Sequence, residues 1–202
     1  MKRGNCWLDR DMTGRTHDLA AFTSLSWAFI TLPPESMTLA TLVTCLGANF
    51  IGALYPDLDN ASADLWKKVR GGHWLGKLIA PLLGGHRMIT HSLVGLVVTG
   101  WLLSKLLMIV GGVLLVDMSL VWWAFMIGYV SHVFTDSLTK EGVPLFFPLP
   151  WDVGVPPIKA LRVTTGARME KFVVYPGLLL LTGYLYYQNY PQVLAFLQHQ
   201  LH

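Results

Sequence analysis

Five apolar runs, at about 18–32, 36–54, 89–110, 118–137 and 172–190, dominate the chain and leave it few ways to fold. A bilayer core takes about 20 apolar residues per helix, so four of these runs are long enough to cross one. The first is short. It reads as a retained helix rather than a signal peptide, because the 17 residues ahead of it are mixed in charge and no small-residue cleavage site follows Leu32. Of the 202 residues, 53% are hydrophobic and only 13% charged, too apolar for an ordinary soluble domain. The expected architecture is one integral membrane domain over residues 1–202: an all-α membrane protein of about five transmembrane helices with two long interfacial loops.

Lys and Arg orient such a bundle. Fourteen of the 15 basic residues fall in three segments, 1–17, 55–88 and 138–171, which alternate with the apolar runs. The exception, Lys105, can snorkel from the far part of the third helix. This split places the N-terminus in the cytoplasm and the C-terminus outside. Eight Trp suit interfacial belts. Segment 64–79, with Trp66 and Trp74 among Lys and Arg, reads as an amphipathic piece on anionic lipid. Segment 142–157, with Pro144, Pro148, Pro150, Pro156 and Pro157, cannot be a regular helix and reads as a cover over the helix ends. Cys6 and Cys45 make no disulfide framework.

The same map gathers the metal-type side chains on the cytoplasmic side. His17 and Asp18 start helix one, and Asp57 and Asp59 end helix two. His86, Arg87 and His91 lead into helix three, with His86 in a turn and His91 inside the helix. His132 and Asp136 close helix four, and Glu170 opens helix five. Ionisable groups at membrane depth are costly and usually functional, and imidazoles with carboxylates suit a divalent metal. Small residues mark the inward stripes: Ala124, Gly128, His132 and Asp136 on helix four, and Ala40, Thr44, Ala48 and Gly52 on helix two.

Each element also admits a plainer role. His132 and Asp136, one turn apart, could be a helix-tying hydrogen bond. Pro56-Asp57-Leu58-Asp59 could be a helix stop with an Asx-turn, although carboxylates at the negative end of a helix dipole favour a cation nearby. Arg87 could hold a phosphate or a lipid headgroup. Glu170 could be a ligand, a general base or a dipole-stabilised helix start. His73, His199 and His202 read as surface. No Gly-rich phosphate loop or nucleophile elbow is present, and no partnership with nucleic acid is expected.

The motifs T-H-D-L, P-D-L-D, G-H-R-M-I-T-H-S and G-Y-V-S-H-V-F-T-D-S-L-T-K-E-G-V-P-L-F-F-P resemble those of the YdjM-like family of bacterial inner-membrane proteins described as metal-dependent hydrolases. The resemblance spans roughly residues 16–172, with the family's pattern falling on His17, Asp57, Asp59, His86, Arg87, His91, His132, Asp136 and Glu170. Many members carry His after the Asp pair, where this chain has Asn60. The resemblance implies a multi-pass protein of the bacterial inner membrane and a hydrolytic reaction, without a substrate. Together with the residues it gives the functional expectation: a phosphoesterase-like metallohydrolase at the cytoplasmic leaflet, acting on a small molecule or lipid. His17, Asp57, Asp59, His86, His91, His132 and Asp136 would be ligands to divalent ions, Zn²⁺ or Mn²⁺, two or more in number. Arg87 would orient phosphate, and Glu170 or Asp18 would manage the proton. The alternatives are a divalent-cation transporter and a haem protein with His91 and His132 as axial ligands.

Overall fold

The computed structural model describes residues 11–59, 89–111, 115–164 and 168–201. Segment 64–79 and its His73, together with His86 and Arg87, lie outside the described residues. Six α-helices are seen among the described residues: α1 (Asp11–Thr31), α2 (Leu39–Leu54), α3 (Leu93–Val110), α4 (Met118–Ser137), α5 (Tyr175–Gln188) and α6 (Tyr190–Leu201). No strand ladder occurs among the described residues; two isolated bridges, Thr139 to Val163 and Val143 to Val153, knit the long loop after α4. By length and composition, α3 and α4 can each cross a membrane, and α2 is a shorter apolar helix.

The helix starts follow local chemistry. Thr38 caps α2 by accepting from Thr41 N at 3.1 Å, and Asp117 caps α4 by accepting from the amides of Ser119 and Leu120. The last helical segment follows the expected run over 172–190 to its end at Asn189, but it opens in a π-helical turn at Glu170–Val174, and a further helix, α6, follows it.

α4 is the central helix: α1, α2 and α3 all pack on it, and α5 packs on α1. Its buried face carries Ala124, Gly128, His132 and Asp136, the stripe expected from i, i+4 spacing. Gly52 on α2 and Gly128 on α4 set the closest approach. A methyl at Gly52 would overlap the Phe125 carbonyl, and one at Gly128 would overlap the Asn49 carbonyl. On α2 the buried face lies one residue on from the expected stripe except at its end: Thr41, Cys45 and Asn49 are buried and Ala40 is exposed, whereas Gly52 is buried as expected. The cause is Asn49, whose Nδ2 donates to Ala124 O at 3.0 Å and turns its own face inward.

Between α1 and the last helical segment, the π-helical turn and α5, runs a ladder of side-chain hydrogen bonds: Thr16 to Glu170 at 2.8 Å, Thr23 to Thr182 at 2.7 Å and Ser26 to Tyr186 at 3.1 Å. Such bonds hold helices together where no hydrophobic drive exists between them. The outer face of α3 is exposed and apolar, with Val97, Trp101, Met108 and Ile109 uncovered. A continuous apolar face of this kind is what lipid contact requires. The Pro-rich loop holds no α-helix. It folds back on the bundle through Leu93 N to Leu145 O and Val155 N to Ser137 O, and it exposes Phe146, Trp151 and Ile158.

Candidate metal centre

Because the helices run antiparallel, the start of α1, the end of α2, the turn before α3, the end of α4 and the start of α5 meet at one end of the bundle. The bulk of the expected site residues is found there.

His91 is not inside the helix as expected. The helix begins at Leu93 with Ser92 as its cap: Ser92 Oγ accepts from Gly95 N at 3.1 Å and donates to Ile89 O at 2.7 Å. His91 is therefore fixed in the turn just before α3, fully buried.

Three imidazoles converge on one carboxylate. His17 Nε2 lies 3.3 Å from Asp136 Oδ1, and His91 Nε2 lies 3.3 Å from Asp136 Oδ2. His132 Nε2 lies 3.8 Å from Asp136 Oδ2 and 3.8 Å from Asp57 Oδ1. The His17 and His132 rings stack at 4.0 Å, and His91 meets His132 edge-on at 5.5 Å. Two overlapping groups have their ligand atoms within 4.8 Å of one another: His17, His132 and Asp136, and Asp57, His91 and His132.

Each imidazole is aimed by its other nitrogen. His132 Nδ1 lies 2.6 Å from the Ala53 carbonyl. A carbonyl can only accept, so Nδ1 carries hydrogen and Nε2 of the neutral ring is a lone pair. His17 Nδ1 lies 2.5 Å from Thr135 Oγ1. The Thr135 hydroxyl donates to the carbonyls of Ser131 and His132, at 3.0 and 2.9 Å, and so accepts from His17. Its Nε2 is likewise left as a lone pair. His91 Nδ1 is 3.1 Å from Thr90 Oγ1. A His fixed through Nδ1 with Nε2 pointing at carboxylates is the arrangement that metal ligands adopt.

This arrangement tests whether a metal fits. His132 Nε2 is buried and has no hydrogen-bond partner among the described residues. Its two nearest carboxylate oxygens, at 3.8 Å, stand beyond hydrogen-bonding reach. Ligand atoms on a tetrahedral ion at about 2.0–2.1 Å would stand roughly 3.3–3.4 Å apart, close to the spacings seen around Asp136. A lone pair facing carboxylates in a dry interior is costly without a cation between them. The residues fit a divalent ion.

The remaining expected residues are arranged around this centre. The side chain of Asp57, in the 3₁₀ turn Pro56–Asp59, is 34% exposed, so it marks the mouth of an otherwise sealed cluster. Asp59 shares that turn. Glu170 is buried and accepts from Thr16 Oγ1, which ties the start of the last helical segment to the residue before His17. Asp18 is half-buried beside His17 on α1 and belongs to neither ligand group. Sequence reasoning missed the orienting partners: Thr135, Thr90 and the Ala53 carbonyl. The only trace was Thr90 and Thr135 standing one residue from His91 and Asp136.

The sequence matches the model of the YdjM inner membrane protein family over residues 12–193. It is 33% identical over 120 residues to the inner membrane protein YdjM of Escherichia coli (strain K12) and to that of Shigella flexneri. Those alignments cover 59% of this chain and 56% of each relative, so the chain spans little more than half the length of these curated relatives. It is 27% identical over 176 residues to the uncharacterized protein YvsG of Bacillus subtilis (strain 168), covering 87% of this chain and 95% of that one. No solved structure matches.

Proposed function

Since the chain belongs to the YdjM inner membrane protein family, we propose that it is a membrane-embedded metallohydrolase whose substrate is a phosphoester at the cytoplasmic leaflet. The observation that carries this reading is the trio of Nδ1-anchored imidazoles presenting Nε2 towards Asp136. His17, His91, His132, Asp136 and Asp57 would hold the metal, with Asp59 and His86 as further ligands from the adjoining segments. A bound Zn²⁺ or Mn²⁺ would act as a Lewis acid on a phosphoryl oxygen and make water available as a nucleophile near neutral pH.

The chain's own residues do the rest. Burial of His91, His132 and Asp136 excludes bulk water, so substrate approaches past Asp57. Hydrolysis forms one P–O bond from water and breaks the ester P–O bond, and the leaving oxygen takes a proton. Glu170, bonded to Thr16 of α1, or Asp18 on α1 would accept or return it. Arg87, four residues before His91, would bind the phosphate. In this reading the bundle crosses the membrane five times with the N-terminus inside. The support is the basic residues, 14 of 15 of which fall in three segments of the sequence that alternate with the apolar runs.

The test is hydrolysis by the purified protein in nanodiscs, using phospholipid, polyprenyl-phosphate and soluble phosphoester substrates with and without chelator. Chelator-sensitive release of phosphate or alcohol is expected. Movement of divalent ions across liposomes with no ester cleaved would replace the hydrolase reading with a carrier. A Soret band in the purified protein would replace it with a haem protein held by His91 and His132.

A further inference from the structure

A groove of about 780 Å³ opens at the Pro33–Thr38 turn, at the opposite end of α1 from His17. Its lining holds Glu35 but no His, Cys or Asp. A second cleft is placed differently. α2 and α3 both pack on α4 rather than on each other, and an apolar cleft of about 770 Å³ lies between them. Ile51 and Tyr55 form one wall, Thr99, Leu103 and Leu106 the other, and Phe125 the floor.

One end of this cleft adjoins the metal centre. Tyr55 stands two residues beyond Ala53, whose carbonyl aims His132, and two before Asp57 at the mouth. The Tyr55 ring meets Tyr129 edge-on at 5.2 Å, and the Tyr129 hydroxyl donates to the Thr90 carbonyl beside His91 at 2.5 Å. Tyr55 thus walls the cleft, while its partner Tyr129 buttresses the turn that carries His91. At that end Thr99 Oγ1 donates to the Tyr55 hydroxyl at 3.2 Å, a polar pair in an otherwise apolar channel. From there the lining runs away from the cluster, along Thr99 to Leu107 on one side and Ile51 to Thr44 on the other. The Thr99–Leu107 stretch covers about 12 Å of helix axis, which matches an extended chain of about ten carbons. The volume falls within the roughly 300–1,000 Å³ of ligand pockets.

We propose that this cleft is a binding site for a single hydrocarbon tail, and that it selects esters whose headgroup reaches the His/Asp cluster while the tail lies between α2 and α3. What becomes of the headgroup rests on the hydrolase reading; binding of the tail does not. Gly47 lines the far half of the cleft, and no atom lies close to where its Cβ would be. Gly47→Phe therefore places a ring in the cleft without overlapping backbone, and Leu106→Trp narrows the facing wall.

The probe is a dodecyl phosphate with a diazirine at the end of its tail, added to the full chain in nanodiscs and mapped by mass spectrometry. The expected result is saturable labelling of Leu102, Leu103 and Leu106, competed by unlabelled dodecyl phosphonate and lost in both variants. Labelling spread evenly over the lipid face of α3, uncompeted and equal in the variants, would show an ordinary lipid contact and overturn the proposal. If esters are cleaved, the ratio of kcat/KM for dodecyl over butyl esters should fall about tenfold in Gly47→Phe, the loss of about two buried methylenes. An unchanged ratio overturns the tail site and leaves the hydrolase reading intact. Saturable, variant-sensitive labelling without any ester cleavage supports the tail site and removes the hydrolase.

Discussion

At the scale of single residues, the centre depends on how each imidazole is held as much as on its presence. His132 is fixed by a main-chain carbonyl, which no substitution at position 53 short of moving the helix can remove, so His132→Ala should abolish metal binding outright. Thr135 acts differently, because it only orients His17. Thr135→Val keeps the shape of the side chain and removes the acceptor. Outer partners of this kind are worth about 10- to 100-fold in metal affinity, so Thr135→Val should weaken binding by that order while Thr135→Ser retains it. Competitive titration with a chelating dye would measure both. Equal affinity in Thr135→Val and the parent would mean that His17 is not a ligand. His132 and Asp136 were legible in the sequence because an apolar helix rarely tolerates two ionisable side chains one turn apart unless they serve a site. The aiming groups were not, since a threonine hydroxyl and a backbone carbonyl look alike in every helix until the partner chain segments are brought beside them.

At the scale of elements, the positions of the ligands follow from where the helices stop and how closely they pack. The Ser92 cap puts His91 in a turn, and no spacing rule from His86 could have foreseen that. On α2 only Gly52 of the expected stripe is buried, because Asn49, polar and easily read as outward, is the residue that faces α4. The small-residue stripe of α4 was legible because Gly128 meets the α2 backbone directly. Gly128→Leu should therefore separate α2 from α4 and remove the Ala53 carbonyl from His132. Overpacking costs about 1–3 kcal/mol in general, and here the overlap is with backbone. A lowered melting temperature in detergent together with lost metal is expected. Full stability with full metal content would show that the two helices are not in register as described.

At the scale of the whole molecule, five apolar runs foretold an all-helical membrane protein and the motif resemblance its place in the bacterial inner membrane; the His/Asp cluster lies at one end of the bundle. The end of the last apolar run at 190 agrees with the break at Asn189, whereas the further helix α6 beyond it lies outside the expected runs. The five-crossing topology predicts that reporters fused at Leu32, Asp117 and His202 all lie outside the cytoplasm; a cytoplasmic reporter at His202 would contradict an odd number of crossings. The central claim is that the buried His/Asp cluster is a metal centre, and elemental analysis of the detergent-purified protein tests it most directly. The account predicts at least one tightly held divalent ion per chain in the parent and none in His132→Ala or Asp136→Ala, with all three proteins inserted and folded. Equal metal content in the parent and both variants, or none in a parent purified without chelator and then offered Zn²⁺ and Mn²⁺, would contradict it.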